Sequence, residues 1–208
     1  MNESFSSLFS FDISPYVKDV SYKKGEAIFF PGDESEKLIY IYSGSSRCSF
    51  VYPDGRYALL DYAPAPAFYG ELELLSIQQY KSYVEAVSGC RGYEIDTLHC
   101  KDKLLSDPVF LKSLASYIAE KLFRVNKTMA KNLNYPLKKR LASYILDNSQ
   151  NGIYSLSHSD TSKYFCVSYR HLLFVFKQLE DDGLIEKTER GRYRIVDEFS
   201  LKEEALDE

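Results

Sequence analysis

Tyr169, Arg170, Phe174 and Lys177 fall on one face of a predicted helix near the end of the chain. An arginine can form paired hydrogen bonds with guanine, aromatic rings can pack on thymine methyl groups, and lysine can neutralise a phosphate. These residue types on one exposed helix face are suited to contact with DNA. The neighbouring elements must then position this helix so that the face points outward.

The segment 157–179 predicts two short helices joined by a tight turn. Ser157 can cap the first helix with Asp160 as its capping-box partner, and Ser168 can cap the second helix. Helical spacing gives the second helix a buried face made of Leu172, Val175, Phe176 and Leu179. This arrangement is typical of a helix-turn-helix, whose second helix enters the DNA major groove.

A hairpin is predicted directly after these two helices. Asp182-Gly183 can end the second helix, and segments 184–187 and 192–196 are predicted strands on either side of an Arg190-Gly191 turn. A hairpin with basic residues at its tip is a wing. The alternative interpretation of the region is an ordinary helical hairpin with a solvated basic face.

Cys166 occupies the tight turn between the two predicted helices, where a left-handed backbone would carry strain in any residue but glycine.

The composition is that of an ordinary globular protein. The 208 residues are 45% hydrophobic and 27% charged, which predicts one or two domains. We expect a cytoplasmic protein, since no apolar run is as long as a membrane span and no basic region followed by an apolar core begins the chain. The four cysteines do not form a Cys-x-x-Cys pair and do not indicate a disulfide scaffold.

The net charge of −4 is unevenly distributed along the chain. The segment 124–195 holds 13 Lys and Arg against 7 Asp and Glu, whereas the rest of the chain holds 13 against 23. A basic segment attached to an acidic one is consistent with a DNA-binding module carried by a sensor domain. Chance clustering is the alternative explanation, because the excess is modest.

The first half of the chain is predicted to be rich in β-strands. Between residues 22 and 98, short apolar or alternating runs are separated by turn residues, and a short helix is expected after Gly70. The predicted strands are 27–30, 38–42, 48–52, 57–62 and 83–87. Short strands at this spacing favour an antiparallel barrel or sandwich.

A long helix is predicted after the strands. Asp107 can cap it, Pro108 suits its first position, and Pro136 lies beyond its end. An apolar seam follows at steps of three and four residues, consisting of Leu111, Leu114, Ile118, Leu122, Val125, Met129 and Leu133. Such a helix spans about 38 Å over 25 residues. It can pack on its own domain or along the same helix of a second subunit, with all of these residues except Leu133 as the predicted dimer contacts. A further helix is predicted over 137–146.

The order of a β-roll, a long helix and a winged helix-turn-helix resembles the Crp/Fnr family of bacterial transcription regulators. The matching stretches are 25–29 followed by 31–33, 41–44, 68–72 followed by 74–75, and 167–170. The stretches 70–74 and 167–173 resemble the YeiL-type branch of that family.

This resemblance implies an α+β fold. It consists of an N-terminal double-stranded β-helix of the jelly-roll kind over residues 1–106, a dimerisation helix over 107–134 and a winged helix-turn-helix domain over 135–208.

The resemblance also implies a ligand site. In members that bind cyclic AMP, a glutamate takes the ribose hydroxyl and an arginine pairs with the phosphate; Glu71 and Lys81 stand at these positions here. The implied site for a nucleotide-like anion consists of Gly70, Glu71, Leu72, Lys81 and Ser82. Lysine lacks the planar fork of arginine, so we expect that cyclic AMP does not bind tightly and that the effector is another molecule. The alternative is a relic pocket. No cofactor is expected to be required.

The family's base-reading positions fall on Tyr169, Arg170 and Phe174, where familiar members carry Arg, Glu and Arg. His171 is a further candidate contact. Ser168 and Lys177 are expected to contact phosphates, as are Arg190, Arg192 and Arg194 near the wing. An alternative position for Phe174 is the core of the domain.

Two other classes of site have weaker support in the sequence. Cys48, Cys90, His99 and Cys100 could converge on a metal, but scattered cysteines are usually core residues, and no cysteine precedes Cys48 as in the iron–sulfur branch of the family. We therefore predict no metal site. A cupin-like metal enzyme would need a histidine cluster, whereas two of the three histidines lie in the predicted DNA-binding region. The chain is thus not expected to be an enzyme.

The sequence as a whole predicts a homodimeric transcription regulator. Its β-roll would sense a signal, its long helix would dimerise, and its winged domain would read a palindromic operator. The expected partners are double-stranded DNA, a second copy of the chain and RNA polymerase, with no membrane. The alternative is a ligand-independent regulator whose β-roll is only a scaffold for dimerisation and polymerase contact.

Overall fold

A computed structural model describes residues 2–30, 36–52, 57–77 and 82–206 of the chain. Backbone contacts divide it into two compact units, Met1–Val125 and Asn126–Glu208. The predicted domain boundaries at residues 106 and 134 stay a prediction. Across the described ranges, no helix combines the length and the apolar character needed to cross a membrane.

The first unit contains two four-stranded antiparallel sheets. One has the order β1-β8-β3-β6 and the other the order β2-β7-β4-β5. Their strands are β1 (Val17–Tyr22), β2 (Ala27–Phe29), β3 (Lys37–Ser43), β4 (Ser45–Val51), β5 (Tyr57–Pro64), β6 (Ala67–Tyr69), β7 (Ser82–Ala86) and β8 (Cys90–Asp96). The five predicted strands are all present, and β1, β6 and β8 were not predicted. The sheets confirm the predicted β-roll.

Strand β3 is buried on both of its faces. Successive side chains of a strand point to opposite sides, and Ile39 and Ile41 enter one apolar cluster with Val84. Leu38 and Tyr40 enter a second cluster, which also contains Phe5. Burial on both sides explains why 38–42 reads as a continuous apolar run instead of an alternating one.

Short helices and one long helix complete the first unit. They are α1 (Glu3–Ser6), a 3-10 helix (Ser14–Tyr16), α2 (Glu71–Leu74), α3 (Thr97–Ser106) and α4 (Pro108–Asn134), which continues into the second unit. Asp107 precedes α4 as predicted, and its carboxylate accepts hydrogen bonds from the backbone N–H of Val109 at 3.0 Å and of Ser10 at 2.8 Å. The same carboxylate therefore caps the long helix and anchors the N-terminal segment.

The apolar seam of α4 divides into two parts. Leu114 is 2% exposed and lies in the core of the first unit, which corrects its predicted role as a dimer contact. Leu111 and Ile118 are partly buried and pack against the same cluster. Leu122, by contrast, is 59% exposed. A period of three and four residues marks an apolar face but does not say what covers it.

The second unit is a small helical domain with a three-stranded sheet of order β10-β11-β9. Its elements are α5 (Leu137–Asn148), β9 (Ile153–Tyr154), α6 (His158–Tyr164), α7 (Tyr169–Asp181), β10 (Ile185–Glu189), β11 (Arg192–Ile195) and α8 (Glu198–Glu204). The two helices of the helix-turn-helix are α6 and α7, and β10 with β11 forms the wing. These elements confirm the predicted winged helix-turn-helix, while β9 and α8 were not predicted.

Candidate functional site

Local hydrogen bonds fix both ends of helix α7. The Ser168 hydroxyl accepts a hydrogen bond from the backbone N–H of His171 at 3.1 Å, which is the N-cap predicted from sequence. At the other end Gly183 adopts a φ of +74°, and the N–H of Leu184 donates to the carbonyl of Leu179 at 3.0 Å. Ser157 caps α6 in the same way as Ser168 caps α7.

The turn between α6 and α7 places Cys166 in the left-handed region, with a φ of +53°. The turn is closed by hydrogen bonds from the N–H of Cys166 to the carbonyl of Lys163 and from the N–H of Val167 to the carbonyl of Ser162. A residue with a Cβ atom is strained in this conformation. The thiol side chain is exposed.

Helix α7 presents two chemically different faces. The buried face consists of the four predicted residues Leu172, Val175, Phe176 and Leu179. Phe174 is 60% exposed, which excludes its alternative position in the core. The other candidate DNA contacts are also exposed, namely Ser168, Tyr169, Arg170, His171 and Lys177. Lys177 forms an ion pair with Asp181 at 2.9 Å, and both side chains are open to solvent.

The wing carries exposed arginines at and near its tip. Gly191 has a φ of +75° in the turn, between Arg190 and Arg192, whose side chains are both exposed. Arg192 lies 3.8 Å from Glu189, so it is only weakly paired. Arg194 forms an ion pair with Glu186 across the two strands. Arg190 and Arg192 are therefore placed better for phosphates than Arg194.

An aromatic cluster joins the wing to α7. The Phe176 ring stacks on the Tyr193 ring of β11 with centroids 4.6 Å apart and planes at 21°. His158, at the start of α6, packs against both rings. Tyr154 of β9 is fully buried beside Phe176, and its hydroxyl lies 2.7 Å from the Thr161 hydroxyl. Sequence reasoning placed Phe176 in the core but did not identify these partners.

The segment 68–75, called the cassette here, lies in the first unit and contains the predicted ligand residues. Gly70 has a φ of +93°, and a Cβ atom there would lie 2.5 Å from the carbonyl oxygen of Lys37, so only glycine fits. Glu71 begins α2 and is buried, while Leu72 and Ser82 are partly buried. The predicted phosphate partner Lys81 lies outside the described residues.

Two basic residues of α4 pair with buried carboxylates of the β-roll. The ammonium nitrogen of Lys121 lies 2.7 Å from Glu71 Oε1, with side-chain exposures of 23% and 6% respectively. Arg124 donates to both carboxylate oxygens of Asp61, at 3.1 and 2.6 Å. Burial is the largest single influence and would lower the pKa of Lys121, but the charge and hydrogen bond of Glu71, together with the nearby Tyr117 and Cys48, outweigh it and the pKa is raised. Neither ion pair was predicted from the sequence.

The predicted alternative metal ligands are distributed over separate environments. Cys48 and Cys90 lie in one apolar cluster and Cys100 lies in another. Burial raises the pKa of Cys48 and that of Cys100 to about 11, so both thiols are protonated at neutral pH. His99 is exposed and bonds to Asp96. Within the described ranges, no three His, Cys, Asp or Glu residues are grouped as a metal site requires.

A β-roll, a long helix and a capped recognition helix with a basic wing together define a DNA-binding transcription regulator. A model of the cyclic nucleotide-binding domain matches residues 19–106, and a model of the Crp-like helix-turn-helix domain matches residues 139–204. The chain is 32% identical to the regulatory protein YeiL of Escherichia coli O157:H7 over all of its own length and 94% of the relative. It belongs to the Crp/Fnr family of transcription regulators, and its resemblance to the YeiL-type branch is confirmed.

Two further similarities agree with this family. The chain is 25% identical to the cAMP-activated global transcriptional regulator Vfr of Pseudomonas aeruginosa, over 84% of this chain and 87% of the relative. A Crp/Fnr-family regulator from Eubacterium rectale has the same fold, with a TM-score of 0.81, 18% identity, and coverage of 98% of this chain and 94% of the other. These relatives are regulators and not enzymes, as predicted.

Proposed function

We propose that this regulator acts as a homodimer and reads a palindromic operator through α7. The observation that carries this proposal is the exposed face of α7, where Arg170 lies in the first turn beside Tyr169 and His171. Residues in the first turn of a recognition helix reach base edges. Arg170 is assigned to guanine, and Phe174 and Tyr169 are assigned to thymine methyl groups.

Phosphate contacts are assigned to residues around this face. Ser168 lies at the N-terminus of α7 and Lys177 lies two turns further along. Arg190 and Arg192 extend the basic surface to the wing. These side chains are exposed, and their contacts would position the protein without selecting a sequence.

The dimer contact is assigned to the apolar seam of α4. Leu122 and Met129 are exposed large apolar side chains on this helix, and Val125 lies between them. Leu111 and Ile118 retain enough exposure to border such an interface, whereas Leu114 is excluded by its burial. A two-fold dimer would place its recognition helices about 34 Å apart, which is one turn of DNA.

The β-roll is assigned a sensory role with an effector other than cyclic AMP. The proposed ligand residues are Gly70, Glu71, Leu72, Lys81 and Ser82. A relative, Vfr, is named as a cAMP-activated regulator. The second candidate is a β-roll that needs no ligand and serves as a scaffold for dimerisation and polymerase contact. The Glu71–Lys121 ion pair favours this second candidate, because it satisfies the ligand glutamate internally. Both candidates act in the cytoplasm, where RNA polymerase is the further partner.

The test is selection of genomic DNA fragments by the purified full-length protein, followed by footprinting. We expect a two-fold symmetric site whose half-sites lie about 10 base pairs apart from centre to centre. The Arg170→Ala variant is the matched control and should fail to enrich that site. Enrichment of DNA without any shared sequence would contradict the proposed function, and a single asymmetric half-site would contradict the dimer.

A further inference from the structure

We propose that α7 recognises its operator chiefly through the methyl groups of pyrimidine bases, and that Leu173 is a base-reading residue beside Tyr169 and Phe174. 5-Methylcytosine should then serve in place of thymine at the contacted positions. The inference rests on the proposed function, because it names the chemistry that the exposed face of α7 would read. Leu173 is the residue that it adds to this face.

Leu173 lies on the exposed face of α7 although its side chain is apolar. With 3.6 residues per turn, Leu173 lies roughly 60° from Arg170 on one side of the helix, and Phe174 lies roughly 40° from it on the other. Leu172 is fully buried in the core of the domain, whereas Leu173 is 37% exposed. Packing within the domain therefore does not account for the leucine at this position.

The wing borders the side of α7 on which Leu173 lies. Phe176, which follows Leu173 by three positions, stacks on Tyr193 of β11. Glu180, which follows it by seven positions, accepts a hydrogen bond from the backbone N–H of Lys187 in β10 at 3.1 Å. Residues at these spacings share one side of a helix. Leu173 is thus next to the wing, and Phe174 is on the far side of Arg170.

The exposed face of α7 is mostly apolar around its single arginine. Tyr169 is 49% exposed and Phe174 is 60% exposed, so that three large side chains of this kind lie on the face that is assigned to DNA. Exposed apolar side chains that are grouped in this way mark an interaction surface. In the major groove, the apolar group that a base offers is the methyl group of thymine. We therefore assign these side chains to pyrimidine methyl groups.

The same side chains should not distinguish thymine from 5-methylcytosine. Both bases carry a methyl group at the same ring position, but thymine presents a hydrogen-bond acceptor beside it and cytosine presents a donor. The side chains of Leu173 and Phe174 have no polar atom that could tell these groups apart. Lys177, which lies one turn further along the helix, is paired with Asp181 at 2.9 Å. The methyl group, and not the kind of pyrimidine, is then what is read.

The test measures binding of the full-length protein to operator duplexes by fluorescence anisotropy. The operator is the site found by selection of genomic fragments. At each contacted pyrimidine, thymine is compared with uracil opposite adenine, and 5-methylcytosine is compared with cytosine opposite guanine. The members of each comparison differ by one methyl group. We expect this group to raise wild-type affinity about fourfold in both comparisons, which is the effect of one buried methylene.

Two variants assign the contacts to side chains. Leu173→Ala should lose the preference for the methyl group at one position, and Phe174→Ala should lose it at another, because each lacks a different apolar contact. Leu156→Ala is the matched control, since Leu156 is also 37% exposed in the second unit but lies outside α7. It should keep both preferences. Unchanged affinity for a scrambled duplex shows that a variant is folded, and the wild-type comparison depends on no variant.

Several results would overturn the inference. One is a gain from thymine over uracil without a gain from 5-methylcytosine over cytosine, because the contact would then depend on the whole T·A pair. Another is a Leu173→Ala variant that keeps every preference of the wild type. A specific operator whose affinity is independent of methyl groups would assign the apolar face to a protein partner instead. Selection that yields no shared sequence would refute the proposed function itself.

Discussion

The imidazole ring of His158 lies against the Phe176 ring, with centroids 4.6 Å apart and planes tilted by 36°. The Tyr193 ring lies 5.5 Å from the same imidazole. His158 Nε2 is buried and makes no hydrogen bond to any described residue. The start of α6, the recognition helix and the wing strand therefore meet at a histidine that must stay neutral to remain packed.

The stability of the second unit should fall as the pH is lowered below about 6.5. Burial, followed by the positive charge of Lys187, lowers the pKa of His158 from its ordinary value of 6.5. The unfolded chain therefore takes up this proton at a higher pH than the folded protein, and each step of acidification favours unfolding. His158→Phe should reduce the change in urea midpoint between about pH 7.5 and about pH 5.5. His171→Asn, at an exposed position of α7, should keep it; an unchanged pH dependence in His158→Phe would contradict the prediction.

Arg170 should carry sequence discrimination and Lys177 general affinity. Arg170→Ala is expected to cost about 1–3 kcal/mol on the operator and little on a scrambled duplex, because base contacts are lost only on the specific site. Lys177→Ala should weaken both complexes and reduce the slope of log affinity against log salt by about one unit. Fluorescence anisotropy across a salt series measures both effects, with Lys202→Ala of α8 as the control. Equal losses on both duplexes for Arg170→Ala would make Arg170 a phosphate contact.

Phe174 should read a thymine methyl group. Replacing the contacted thymine by uracil removes one methyl group and should weaken wild-type binding by about 0.8 kcal/mol, the value of one buried methylene. The Phe174→Ala variant should bind the thymine duplex and the uracil duplex equally, because it lacks the ring that would contact the methyl group. A uracil placed outside the footprint is the matched control. If no thymine position shows this difference, the exposed ring has another role.

Leu122→Glu should convert the proposed dimer to a monomer. Leu122 is exposed on the single chain, so the substitution does not disturb the core. In the proposed dimer the glutamate would be buried as an unpaired charge. Ile118 is a poorer choice because it packs partly against its own unit. Lys127→Glu places a glutamate on the opposite side of the same helix and should remain dimeric. Analytical ultracentrifugation decides, and a dimeric Leu122→Glu variant would place the interface elsewhere.

Cys166→Gly should stabilise the second unit by about 1 kcal/mol. The left-handed conformation costs a residue with a Cβ atom about 1–2 kcal/mol, and glycine avoids this cost but loses more backbone entropy on folding, which offsets part of the gain. Cys166→Val should destabilise it, since β-branched residues tolerate this region least. Urea unfolding measures both variants. The exposed cysteine is replaced in each case, so a loss common to both variants would point to the thiol and not to the backbone.

Local signals made the DNA-binding domain predictable. Ser168 caps α7 through a bond to the N–H of His171, only three residues away, and Gly183 ends the same helix. The spacing of Leu172 and Val175 identifies the buried face without any knowledge of its partners. Caps, periodicity and glycine turns all act over a few residues, which is why the sequence alone located these elements.

Contacts between distant residues were not predictable in the same way. Strand β1 pairs with β8, so that Val17 lies opposite Ile95, and neither strand was identified from its own residues. The ion pair between Lys121 and Glu71 was likewise not predicted, because Lys121 looks like an ordinary exposed residue of a helix in the sequence. Leu114 and Leu122 belong to one apolar seam, but only the fold shows that the first is covered by its own chain. Periodicity defines a face, and tertiary structure decides what covers it.

The stacking of Phe176 on Tyr193 has a consequence for the shape of the operator. Because the cluster holds the recognition helix and the wing as one body, the protein sets the spacing between the bases that α7 is proposed to read and the phosphates proposed for Arg190 and Arg192. The duplex must then accommodate any mismatch by bending or by changing its groove width. Flexible pyrimidine–purine steps lower the energy of such deformation. Base pairs that the protein never touches would thereby contribute to the choice of site.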